Sequence, residues 1–261
     1  MMAKMMMVRG KFDATNNDVP YSGFVSAFGD LCWKVSSSSS SSSGGTNNDS
    51  SSSKYESISL TIGDKILEQL GASEIRLLTQ LIPELEEIIP YDALSSSTGI
   101  YSYSSTKNND KENMNFGADL ERLKYALRVL TRIFSSCFSP LVLVLDDLQW
   151  ADRSSLEVVD YLLSDTENKN GLVIIGSERS NEVDEDHPLK TKSRELQAKK
   201  DSAGINITEI TLRNLEADGI NKIIMALLDI DDENRTRYLA EICYKKTYGN
   251  PFFVISFLTM L

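Results

Sequence analysis

Apolar residues fall along this chain in two rhythms. Short unbroken or alternating runs predict strands, and repeats every third or fourth residue predict helices. The sharpest run is LVLVL, Leu141–Leu145, which reads as a strand buried on both faces, as in a parallel sheet under helices. GLVIIGS, Gly171–Ser177, is a second such run. MMMVRGKF, within Met5–Phe12, reads as a short strand, and INITEITL, Ile205–Leu212, alternates as a further one. Helical spacing carries Tyr21–Val35 through Phe24, Val25, Phe28, Leu31 and Cys32, and Lys54–Leu70 through Ile58, Ile62, Ile66 and Leu70. The clearest helix is Asp119–Phe138, where Leu120, Leu123, Leu127, Leu130, Phe134 and Cys137 form one seam and the charged residues lie off it. Ser154 and Glu157 are spaced as a capping box and predict a helix over Ser155–Leu163. Glu74–Ile89 is apolar and acidic and is broken at Pro83; Lys190–Gly204 is a charged connector, helical in part. Leu215–Leu228 and Asn234–Lys246 are helical, and Asn250 followed by Pro251 caps and opens a closing helix.

Two stretches break these rhythms. The serine-rich Ser36–Ser53 and the polar Ser95–Gly117 contain too little apolar surface to offset their ordering entropy, and both are expected to be disordered insertions. Elsewhere the hydrophobic content of 41% suffices for a core. A formal net charge of −11 argues against a non-specific nucleic-acid surface, which would be basic. Cys32, Cys137 and Cys243 have no metal-ligand spacing and read as reduced thiols, which points to a cytoplasmic setting. His187 is the sole histidine and reads as structural or solvent-exposed. No apolar stretch approaches the roughly 20 residues of a membrane span, and the first residues lack the features of a secretory signal.

The candidate chemistry sits where the LVLVL strand ends. Asp146 and Asp147 follow it directly, and in an open parallel sheet the ligand crevice lies at the carboxyl ends of the strands. Two carboxylates there suit Mg²⁺ beside nucleotide phosphates, Asp146 on the metal and Asp147 placed to orient water, the Walker B pattern. The pattern alone also fits a strand followed by an acidic turn. Gly10-Lys11 is not a phosphate loop: G-x-x-x-x-G-K-[ST] would need Gly at position 5 and Ser or Thr at position 12, where Met5 and Phe12 stand, and the motif occurs nowhere in the chain.

The extended stretch LVLVLDDLQWADRSSLEVVDYLL, together with GKFDATNNDVPYSGFVSAFGDL, LIPELEEIIP and GNPFF, resembles the origin-recognition-complex-like AAA+ ATPase domain of the signal-transduction (STAND) P-loop ATPases. The resemblance implies an α/β fold of three layers around a parallel sheet, ATP and Mg²⁺ as cofactors, and a regulatory switch fused to or associated with kinase, cyclase or regulator domains. Nucleotide-dependent self-association would accompany that switch, and neither nucleic acid nor membrane is an expected partner. By the same resemblance Arg179, just after the GLVIIGS strand, would contact the γ-phosphate or a neighbouring subunit's site, although a solvated loop Arg is the plain alternative. Gly249, Asn250 and Pro251 would belong to a helical lid near the adenine, although helix initiation alone also explains them. The Asp-Asp pair stands where AAA+ enzymes usually carry Asp-Glu, a form common in the STAND class and suited to slow hydrolysis. In the family's sheet the first strand lies in the middle; residues 1–212 supply counterparts of strands two to five but neither the first strand nor its phosphate loop, and residues 213–261 begin the lid. The chain is therefore expected to be a fragment of a longer protein or of an incomplete gene model, and to bind ATP poorly. The alternative is a degenerate module that serves as an interaction scaffold.

Overall fold

A computed structural model describes residues 5–16, 20–40, 52–89, 116–168, 170–200 and 204–260. The bulk of both predicted insertions lies outside these residues. Their edges do not: Ser36–Ser40 prolong a helix, Ser52 and Ser53 begin the next, and Phe116 and Gly117 begin the long central one. Helical hydrogen bonds propagate cheaply once a packed amphipathic turn has nucleated them, so these ends run into polar sequence.

The chain divides into two compact units, Met1–Ile207 and Thr208–Leu261. The first is α/β. Strands β1 (Met6–Lys11), β2 (Leu141–Asp146) and β3 (Leu172–Gly176) form a parallel sheet in the order β1-β2-β3. Val8 lies opposite Leu143, and Leu143 opposite Ile174. Between β1 and β2 come α1 (Ser22–Ser40), α2 (Ser52–Gln69), α3 (Ala72–Leu81) and α4 (Phe116–Cys137), with a 3₁₀ turn at Pro83–Glu87 where the proline breaks the helical run. Helix α5 (Arg153–Leu163) links β2 to β3, and α6 (Pro188–Ala198) follows β3.

Both crossovers step the same way across the sheet, so right-handed connections put their helices on one face. The burial pattern agrees. Met6 and Val8 of β1 and Leu141, Leu143 and Leu145 of β2 join one cluster with Phe28 and Leu31 of α1, Ile62 and Ile66 of α2, Leu127 and Phe134 of α4, and Val158 and Leu162 of α5. On the alternate positions of the strands, Met7, Val173 and Ile175 stay exposed.

The predicted strand over Ile205–Leu212 does not form. The segment is irregular, with Ile205 and Ile207 against the first unit's core and Ile210 and Leu212 exposed. Alternation specifies two faces, but a strand also needs a neighbouring backbone to pair with, and the described residues provide none here.

The second unit is helical: α7 (Ala217–Leu228), α8 (Glu233–Thr247) and α9 (Pro251–Thr259) enclose Ile220, Ile224, Ala240, Cys243 and Val254. Buried Asn221 accepts from Thr236 Oγ1 at 2.7 Å and donates to the Glu233 carbonyl at 3.1 Å. Among the described residues no helix is long and apolar enough to cross a membrane.

Gly10 has a packing role. A Cβ there would lie 1.8 Å from the carbonyl oxygen of Gly23, because α1 crosses β1 backbone to backbone. Gly10→Ala is expected to destabilise the first unit by about 1–3 kcal/mol or more in urea unfolding, as overpacking does.

A half-buried ion pair ties α4 to the turn after α5. Arg132 Nε and Nη2 each donate at 2.5 Å to the Asp165 carboxylate. Burial alone would raise the Asp165 carboxyl, but the hydrogen bond and charge of Arg132 outweigh it and hold it below its ordinary 3.8. A depressed carboxyl stabilises above its unfolded value and ceases to as pH falls through its folded value. Asp165→Asn is therefore expected to cost about 1–3 kcal/mol at neutral pH. The gap from the native chain should close as pH drops below 3.8 in pH-dependent urea titrations.

Candidate functional site

Strand β2 delivers Asp146 to the carboxyl end of the sheet, flanked by Lys11 of β1 and the chain leaving β3. Asp147 then turns into the left-handed region at φ 57°, ψ 48°. A non-glycine residue rarely adopts that conformation, and such strain concentrates at sites whose surroundings overdetermine it. Here the determinants are visible: Asp147 N donates to Ser177 Oγ at 3.3 Å and Leu148 N to the Ser177 carbonyl at 2.8 Å. A 3₁₀ turn, Leu148–Trp150, leads into α5.

The N-cap of α5 is Asp152, not Ser154 as the capping-box spacing suggested. Its carboxylate accepts from Ser155 N at 2.9 Å, from the Ser155 hydroxyl, and from Tyr21 N at 3.1 Å. A carboxylate is a stronger acceptor than a hydroxyl and complements the helix dipole, so the start moves back to Arg153.

The structure brings Asp146, Asp147 and Arg179 together. Asp146 accepts from the Ser177 hydroxyl through one oxygen and pairs with Arg9 through the other. The Ser177 and Arg9 hydrogen bonds hold its carboxyl below the ordinary range against the opposing effect of burial, so it is ionised at neutral pH. Asp147 meets Lys11 Nζ at 3.2 Å, Arg179 Nε at 3.5 Å and Gln149 Nε2 at 3.1 Å. Buried Gln149 ties the two strand ends together: its amide also donates to Glu182 at 3.2 Å, and its oxygen accepts from Arg179 N at 3.3 Å. Arg179 Nη1 in turn donates to Glu182 at 3.1 Å.

Gly249, Asn250 and Pro251 lie in the second unit, where their geometry serves the start of α9. Asn250 accepts from Phe252 N at 3.0 Å and Phe253 N at 3.4 Å. Gly249 sits at φ +74°, and a Cβ there would lie 1.9 Å from the Leu215 carbonyl oxygen. His187 caps α6, its Nδ1 accepting from Leu189 N at 3.1 Å.

Arg9, Lys11, Gln149 and Ser177 escaped the reading of the sequence. Arg9 and Lys11 carried a usable signal, since they alternate with the buried positions of β1 at the end of the sheet that holds the aspartates. Gln149 and Ser177 carried none, because isolated polar residues in loops look alike until the fold sets their neighbours.

Among the described residues no group of three or more His, Cys, Asp or Glu side chains could cage a metal. The donors present suit Mg²⁺ all the same, because it keeps waters and takes only one or two protein carboxylates beside phosphate oxygens. Asp146, ionised and held by the Ser177 hydroxyl, is the residue that would bind it.

A family model described as AAA ATPase domain matches residues 3–175, well over half of the chain. Ser177, Arg179 and the second unit fall outside that match. No curated protein and no solved structure matches the chain.

Gln149→Leu keeps the volume and removes every one of these amide bonds. It is expected to lower stability by about 1–3 kcal/mol in urea unfolding. Loss of the Gln149 bridge should also speed hydrogen exchange at the Arg179 amide.

Proposed function

The chain belongs to the AAA ATPase domain family, and on that premise we propose that it is the regulatory nucleotide module of a signalling protein of the STAND class, with Mg-ATP as a conformational switch. The observation that supports this reading most is the ionised Asp146 at the carboxyl end of the central parallel strand, with Asp147 and Arg179 beside it. Within the proposal Asp146 is the Walker B residue that binds Mg²⁺, Asp147 orients the attacking water, and Arg179 faces the γ-phosphate. Aspartate in place of the usual glutamate shortens the reach to water, which fits slow turnover and a switch rather than a motor. Gly249, Asn250 and Pro251 would act in a lid, and the effectors would be fused or associated kinase, cyclase or regulator domains in the cytoplasm. Nucleotide-dependent self-association belongs to the same reading.

The motif G-x-x-x-x-G-K-[ST] is missing from the 261 residues. Without that loop's backbone N–H groups and lysine, the phosphates lose most of their contacts. The second reading is a degenerate module that no longer handles nucleotide and serves as an interaction scaffold. A role on DNA finds no support in a net charge of −11.

Isothermal titration separates the two readings. The nucleotide module is expected to bind ATP weakly, with a dissociation constant on the order of 1 mM. That binding should require Mg²⁺, and Asp146→Asn should abolish it. Micromolar binding would overturn the role given to the missing loop. Absence of any Mg²⁺-dependent ATP signal, in the native chain and the variant alike, would leave the scaffold.

A further inference from the structure

Every oxygen of the two aspartates is already engaged. Asp146 uses one on the Ser177 hydroxyl and one on Arg9. Asp147 uses one on Gln149 and Arg179 and one on Lys11. A hard divalent cation needs direct oxygen contacts at about 2.0–2.1 Å. A guanidinium or ammonium on the same oxygen excludes it, sterically and by like-charge repulsion.

The partners differ in how firmly they are held. Gln149 is buried, and Arg179, although 57% exposed, has a second anchor: its guanidinium donates to Glu182 and its backbone N–H to Gln149. Arg9 and Lys11 are 69% and 60% exposed and each pairs with one aspartate, while the carboxylates they cover are 22% and 13% exposed. They close over the carboxylates from the solvent side on long, flexible stems, and pairs of that kind contribute little and open readily.

We propose that Arg9 and Lys11 form a displaceable cation latch: they stand in for the divalent metal on Asp146 and Asp147, and metal enters only by pushing them aside. The inference rests on the metal role given above to Asp146. It adds that β1 regulates access to that role. Arg9 and Lys11 are positioning residues, since they act through the aspartates.

The test is Mn²⁺ binding to the full chain, read by electron paramagnetic resonance of the free ion. Arg9→Gln with Lys11→Gln is expected to tighten Mn²⁺ about fivefold, the worth of a broken exposed ion pair. Adding Asp146→Asn to that double variant should erase the gain. Arg194→Gln, which removes a comparably exposed cation paired with Glu185 elsewhere, should leave Mn²⁺ affinity unchanged. The latch is overturned if the double variant binds Mn²⁺ no more tightly than the native chain, or if Arg194→Gln tightens it equally through net charge. Melting curves of each variant establish that the comparison is between folded proteins; Arg9 and Lys11 project into solvent, so both substitutions leave the core untouched. Tighter Mn²⁺ without any ATP binding would sink the nucleotide reading and keep the latch, so the two fail separately.

Discussion

Strand β2 is hydrogen-bonded along both edges, and the rest of the first unit depends on that. Its pairing with β1 and β3 sets one register across the sheet, from Met6 opposite Leu141 to Leu145 opposite Gly176. Because successive side chains alternate faces, one slip in that register would turn Leu141, Leu143 and Leu145 out of the core together. The same register fixes what leaves the sheet. Lys11 lies opposite Asp146, and Ser177 N donates to the Leu145 carbonyl at 3.0 Å, so a hydroxyl and two cations converge where β2 runs out.

The charges at that rim balance each other. Arg9, Lys11 and Arg179 stand against Asp146, Asp147 and Glu182. Exposed pairs of this sort add little to stability, typically about 0–1 kcal/mol each. What fixes the rim's geometry is the buried, neutral Gln149, whose amide reaches both strand ends at once. The arrangement therefore joins a rigid base to a loose cover: the aspartates keep their places while the cations above them can exchange.

Stability and chemistry are separated along the chain. The large apolar cluster draws on α1 through α5 and on the inward side of the sheet, while the charged rim sits at one end of three strands. Asp165 with Arg132 and Asp152 with Tyr21 fasten connections to that cluster from places where they touch no candidate ligand. The second unit has its own small core and its own buried Asn221–Thr236 bond.

Periodicity alone determined most of the helices and all three strands that form, because burying an apolar stripe is a local demand written into the spacing of Leu127, Leu130 and Phe134 or the run Leu141–Leu145. The position of the aspartate pair was equally legible, since it follows directly from where the apolar strand ends. Three features were not. Ile205–Leu212 has the alternation of a strand without a backbone to pair with, and pairing is a property of two segments. The cap of α5 fell to Asp152, whose carboxylate is a better acceptor for Ser155 N than the Ser154 hydroxyl and also takes Tyr21 N from far away in sequence. Arg9 and Lys11 became part of the site only when parallel register set them against aspartates more than a hundred residues away, and Gln149 and Ser177 only when the loops after β2 and β3 met around a left-handed Asp147, relations between separate segments that no local pattern encodes.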